Sequence, residues 1–119
     1  MKKRKPEKQR NISQLKKLAD IVFSKWIRQR DSHCITCGRP ATQAGHYISR
    51  SWLGLRYHPK NVHGQDVRCN IFLKGNMDEY ALFLKWKYGP KILEELNKLK
   101  KPTQFKRKDY LEIIRKYKI

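Results

Sequence analysis

Apolar positions recur at helical spacing toward both ends of the chain and lose that order in the middle. Between residues 13 and 30, Leu15, Leu18, Ala19, Val22, Phe23, Trp26 and Ile27 fall on one face, while Lys16, Lys17, Lys25, Arg28 and Arg30 fill the other. This predicts a helix over 13–30 with Ser13 as its N-cap. Residues 77–88 resume the period through Tyr80, Leu82, Phe83, Leu84 and Trp86, until Gly89-Pro90 breaks it. Residues 91–100 and 108–117 read as two further amphipathic helices on either side of Pro102. Asn70 to Leu73 reads as a helix start, broken at Lys74-Gly75-Asn76, with Asn76 a candidate cap for the 77–88 helix. Over residues 31–69 Gly, Pro, His and Cys become frequent and no period holds. Short strands and loops are expected there, and such a segment needs something besides apolar burial to hold it.

Composition sharpens this picture. The chain has 119 residues, the length of one domain, with 29 Lys and Arg against 10 Asp and Glu, a net charge of +19. An imbalance of this size opposes compaction and suits a polyanionic partner. No apolar run approaches the length needed to cross a bilayer, so no membrane association is expected. The basic start, MKKRKPEKQR, has no apolar stretch after it and does not read as a secretory signal. Residues 1–11 read instead as a disordered basic arm, either solvated or laid on nucleic acid. Phosphate-loop and dinucleotide-binding glycine motifs do not occur.

The 3 cysteines cannot close a disulfide set, which points to a reducing compartment with thiols free or on a metal. Cys34 and Cys37 form a CxxC followed by Gly38 and Pro40, a spacing that lets both thiolates of a tight turn reach one tetrahedral zinc. Redox pairs share that spacing, but the strand-helix context they use is not visible. Cys69 lies about 30 residues on, the distance of a second knuckle. The position where that knuckle would place a fourth cysteine holds Asp66, a legitimate but less common zinc ligand; His63 is the other candidate.

Between the cysteines stand Gly45-His46-Tyr47, then Asn61 15 residues after His46, then Cys69-Asn70, with Asn70 9 residues after Asn61. A CxxC, a Gly-His followed by a loop, an Asn, and a Cys-Asn opening a helix resemble the HNH (ββα-metal) nuclease motif. More closely, CITCGRP, AGHYISR, LRYHPKNVHGQ, VRCN and KGNMDEY are similar to the phage NinG family, also called Rap, of recombination endonucleases, over about residues 20–95.

That resemblance implies an α+β fold: a small zinc-stapled ββα-metal core over 31–76, flanked by the 13–30 helix and the helices of 77–119, mostly helical in total. It implies a metal-dependent endonuclease that hydrolyses phosphodiester bonds in branched DNA such as Holliday junctions and D-loops. It also implies phage or prophage origin and the cytoplasm of a bacterial host. On the family pattern His46 is the general base, a role an imidazole suits near neutrality. Asn61 then fixes the turn and orients the histidine, and Asn70 binds a catalytic Mg²⁺ or Mn²⁺, a hard ion suited to an amide oxygen. Many HNH enzymes place Asp or His before the first histidine as a second metal ligand. Here that residue is Gly45, leaving Asp66, if it is not on zinc, or Glu79 for the role.

Arg50, Arg56, Lys60, Arg68 and Lys74 cluster around the motif and are candidate DNA-phosphate contacts, read against ordinary solvated charge. Tyr47, Trp52 and Tyr57 interleave with them, placed either to pack inside or to stack on unpaired bases. A homodimer joined through the C-terminal helices is compatible with a junction enzyme. The competing reading is a non-catalytic zinc-containing module that only binds DNA or RNA, kept open by Gly45 and Asp66.

Overall fold

A computed structural model describes Pro6 and residues 9–119, so most of the basic arm expected over 1–11 lies outside the described residues. The chain runs α1 (Ile12–Arg30), β1 (Gln43–His46), α2 (Leu53–Arg56), β2 (Val62–Gln65), a π-helical turn (Arg68–Phe72), α3 (Met77–Tyr88), α4 (Ile92–Lys98) and α5 (Arg107–Tyr117). It is a mixed fold of helices around one small two-stranded sheet.

The apolar stripe of α1 is buried as its spacing predicts: Leu15, Leu18, Ala19, Phe23 and Ile27 pack with Tyr110, Ile114 and Tyr117 of α5 and with Tyr57 and Val62. The cap differs. Asn11, not Ser13, closes the helix start, its side chain accepting from the Gln14 backbone amide at 2.8 Å while Gln14 Oε1 accepts from the Asn11 backbone amide at 3.0 Å. Such a reciprocal box satisfies more orphan donors than a lone serine. A second apolar cluster gathers Leu55 with Tyr80 and Leu84 of α3 and Ile92 and Leu96 of α4. The sheet stands between the two clusters.

Strands β1 and β2 pair antiparallel, with Gln43 opposite Gln65, Ala44 opposite Gly64, Gly45 opposite His63 and His46 opposite Val62. Every residue of β2 is buried, because α1 also packs on the sheet and α3 residues reach its centre. There, three polar groups form a directed chain. The Tyr88 hydroxyl donates to His63 Nε2 at 2.8 Å, His63 Nδ1 donates to Tyr80 Oη at 3.1 Å, and Tyr80 donates to the Gly45 carbonyl at 2.7 Å. Desolvation, reinforced by the Arg30 charge, pushes the His63 pKa down to about 3, so the ring is a neutral link that ties β2 to α3, while Tyr80 carries the chain on to β1.

The expected helix start at Asn70–Leu73 is a π-helical turn instead. The Leu73 amide bonds the Arg68 carbonyl five residues back at 2.8 Å. Lys74, Gly75 and Asn76 then follow with φ of 52, 91 and 51°, which reverses the chain before α3 begins. Asn76 stands at the start of α3 but makes no capping hydrogen bond there. Among the described residues no helix is long and apolar enough to cross a membrane.

Candidate functional site

A cluster of candidate metal ligands is built by the loop of Cys34 and Cys37 and by the entry into the π-helical turn, which brings Asp66 and Cys69. The Cys34 amide bonds the Arg39 carbonyl at 2.6 Å, and the Gly38 amide bonds the Cys34 carbonyl at 2.8 Å. Gly38 has φ +81°, which lets the knuckle close tightly behind Cys37. From the other side, Asp66 Oδ1 accepts from the Cys69 amide at 2.9 Å, which turns Oδ2 toward Cys37 Sγ at 3.4 Å. The ligand atoms of Cys34, Cys37, Asp66 and Cys69 all lie within 4.8 Å of one another. Four ligands on one tetrahedral zinc stand roughly 3.5–3.8 Å apart, so little movement is needed. Cys37 accepts a hydrogen bond from the backbone near Arg39, which lowers its pKa, yet desolvation and the adjoining Cys34, Cys69 and Asp66 push it up to about 12. That crowding of electron-rich groups is what a divalent cation relieves. This Cys₃Asp cluster could hold a structural metal such as zinc. His63, the alternative fourth ligand, is excluded from it by its bonds to Tyr80 and Tyr88.

His46 ends β1 at the meeting of two clefts. One, of about 300 Å³, is walled by Asp20, Ser24, Arg28, Arg50 and Arg56 among others. The second, open and about 540 Å³, is walled by His46, Ser49, Arg50, Asn70, Ile71 and Lys74 together with Ala44, Gly75 and Met77. His46 Nε2 lies 2.9 Å from the Arg56 carbonyl. A carbonyl only accepts, so Nε2 carries the proton and Nδ1 keeps the lone pair. Burial, outweighing that hydrogen bond, and the charges of Arg56 and Arg50 hold the imidazole below its ordinary pKa and keep it neutral.

Asn61 is fully buried and uses its whole amide to clamp the loop between the strands. Oδ1 accepts from the Ile48 amide at 2.9 Å, and Nδ2 donates to the Ile48 and Leu55 carbonyls at 3.0 and 3.1 Å. It therefore acts on the backbone two residues beyond His46, not on the ring. Asn70, in the π-helical turn, donates from Nδ2 to Gln43 Oε1 at 2.7 Å.

Sequence reasoning missed Gln65. Its Nε2 donates to the Gly75 carbonyl at 2.8 Å, which fixes the amide orientation, and its buried Oε1 has no hydrogen-bond partner among the described residues. A β-carbon at position 45 would stand 1.9 Å from Gln65 Oε1 and 3.0 Å from Asn70 Oδ1. Gly45 thus leaves room for two amide oxygens to converge beside His46. No periodicity or spacing marks this position in the sequence. Of the two carboxylates considered for a second catalytic-metal ligand, Asp66 belongs to the cysteine cluster, and Glu79 is exposed on α3 and lines neither cleft.

The expected phosphate contacts divide. Arg50 and Lys74 are exposed and line the open cleft, and Arg68 is exposed at the start of the π-helical turn. Lys60 is exposed but stands over the Tyr88 ring, 5.5 Å from its centroid. Arg56 departs from the expectation. It is buried, and its Nε and terminal nitrogen fork onto the Asp20 carboxylate at 2.8 and 2.6 Å. Asp20 also accepts from the Tyr57 hydroxyl at 2.7 Å, and these bonds hold its pKa below the usual carboxylate range against the burial that raises it. Tyr57 is buried in the first cluster, and Tyr47 and Trp52 pack on the second. The strongly exposed aromatics are Phe72 and Trp86.

Across its whole length, residues 1–119, the chain matches the family model described as Bacteriophage Lambda NinG protein. It belongs to the NinG family. Over 86 residues, 67% of the chain, it is 33% identical to Protein ninG of Escherichia phage lambda and likewise to Protein ninG of Salmonella phage P22. It spans 42% of the length of each of these two NinG proteins. No solved structure matches this NinG chain.

Proposed function

We propose that this NinG-family chain carries the cutting centre of a metal-dependent DNA endonuclease of the HNH type, acting on branched recombination intermediates. One observation carries the reading: a neutral histidine with an assigned lone pair shares a cleft with Asn70 and two exposed cations. The ββ-then-helical order of β1, β2 and the π-helical turn agrees with an HNH motif, and the Cys₃Asp cluster agrees with its structural zinc.

In this reading His46 Nδ1 takes a proton from a water that attacks phosphorus, forming the new P–O bond as the ester P–O bond breaks. The Arg56 carbonyl holds the ring in the required tautomer, and Asn61 keeps the loop behind it fixed. Arg50 and Lys74 bind phosphate oxygens by charge, without reading sequence. Asn70, which lines the open cleft, offers Oδ1 to a hard ion such as Mg²⁺ or Mn²⁺, which when bound would stabilise charge on the phosphate and the leaving oxygen.

The binding-only reading retains one supporting observation: among the described residues no carboxylate lines the open cleft. A cleavage assay separates the two. Zinc-loaded protein is given Mg²⁺ or Mn²⁺ with four-way junctions, D-loops and matched linear duplex, alongside His46→Ala. The endonuclease reading expects metal-dependent cutting of branched DNA, lost in the variant while DNA affinity persists. Cutting by the variant at the wild-type rate removes His46 as base, and no cutting of any substrate by DNA-binding protein favours the binding module.

A further inference from the structure

The segment directly after Asn70 exposes apolar surface that packing does not explain. Ile71, Phe72 and Leu73 are consecutive and are 55, 76 and 43% exposed. This projection is held rigidly. The Gly75 amide bonds the Cys69 carbonyl at 2.8 Å, the Gln65 side chain pins the Gly75 carbonyl at 2.8 Å, and Cys69 itself belongs to the metal cluster. Lys74 and Asn76 take left-handed backbone conformations that non-glycine residues adopt only at a cost. Both the strain and the exposure oppose folding, and both serve to hold one apolar tip away from the body.

We propose that Ile71-Phe72-Leu73 is a wedge that enters the base stack of DNA at a branch point, with Phe72 leading; this rests on the DNA-cutting reading of the adjacent cleft. The surroundings select the occupant. Arg68 and Lys74 flank the tip, and Ile71 shares the wall of the open cleft with Arg50 and Lys74, where no carboxylate stands among the described residues. Asp78 and Glu79 lie beyond, in the first turn of α3, where negative charge stabilises the helix start. An apolar tip between cations, on a chain of net charge +19, matches a partner whose flat apolar faces are attached to phosphates. Entry into an intact duplex costs unstacking, whereas a branch point already presents unstacked bases, so the wedge favours branched over linear DNA.

The test uses zinc-loaded full chain without added Mg²⁺ or Mn²⁺, so that binding is read without cleavage. A four-way junction carries 2-aminopurine beside the branch, and its fluorescence and affinity are compared with those of linear duplex. Wild type is expected to raise the fluorescence and to prefer the junction. Phe72→Ala is expected to abolish the rise and to lose about tenfold in junction affinity, the scale of one base–aromatic stack. Its duplex affinity and thermal midpoint should stay unchanged, since Phe72 is exposed. Phe72→Trp should keep both the signal and the preference. Equal fluorescence and equal affinity for wild type and Phe72→Ala overturn the wedge while leaving the endonuclease reading intact. Failure of the wild type to bind either DNA overturns both.

Discussion

Replacing Asp20 with asparagine tests how the fold supports the histidine. Its carboxylate receives two bonds from Arg56 and one from Tyr57, and the Arg56 carbonyl in turn receives His46 Nε2. The Arg56 side chain is 10% exposed and that of Asp20 31%. Removing one partner of a fully buried ion pair costs about 3–5 kcal/mol. Because Asp20 is partly solvated, the expectation falls to about 2–3 kcal/mol. For a chain of this length that is roughly 8–12 °C in thermal midpoint. Urea denaturation of zinc-loaded protein measures it directly, and the cycle Asp20→Ala, Arg56→Met and the double variant should show about 2 kcal/mol of coupling. A loss under about 0.5 kcal/mol, or strict additivity, would refute the reasoning. Arg56→Met has a second readout. It keeps the backbone carbonyl that bonds His46, and its charge is already matched by Asp20. The salt dependence of DNA binding should therefore not change, whereas removing a phosphate contact lowers that slope by about 1.

Further outcomes follow from the same geometry. Gly45→Ala places a β-carbon 1.9 Å from Gln65 Oε1, whose amide is pinned to Gly75, so a loss of at least about 2 kcal/mol is expected by thermal or urea unfolding. Metal analysis should return about one zinc per chain, and chelation should expose the three cysteines to a thiol reagent; folded, zinc-free protein with the same thermal midpoint would contradict the cluster's role. His63, with a pKa near 3 folded and about 6.5 unfolded, contributes stability that is present above pH 6.5 and lost as pH falls toward 3. Its share of the loss between pH 7.5 and 5 is about 2 kcal/mol, which His63→Gln should remove from the urea midpoint while zinc content is monitored.

Much of the helical frame was legible because its burial is local. The stripes of α1 and α5 face each other, and each announces itself at a period of 3.6. The cysteine spacing brought in Asp66 because a second knuckle has a fixed length. Arg56 was misread because its partner is 36 positions away in α1, where Asp20 interrupts an apolar face without marking what it binds. Ile71 to Leu73 look like core in any hydrophobicity pattern. Only the π-helical turn and the left-handed run after it determine that they point outward. Gln65 was silent for a similar reason: its importance lies in the glycine across the sheet that makes room for it.

A metal held by the cysteine cluster would also act as a cross-link. Cys34 and Cys69 lie before and after the whole segment that contains β1, α2 and β2, so an ion held between them closes a loop of about 35 residues. Tying such a loop removes roughly 4 kcal/mol of freedom from the unfolded chain by the entropy relation used for disulfides. With that ring closed, strand pairing of His46 with Val62, and with it the placement of Asn70 one residue past the last ligand, would become a short-range event. A metal bound by this cluster would couple the two ends of the segment that carries the site, so that its register and the binding of the ion become one cooperative event.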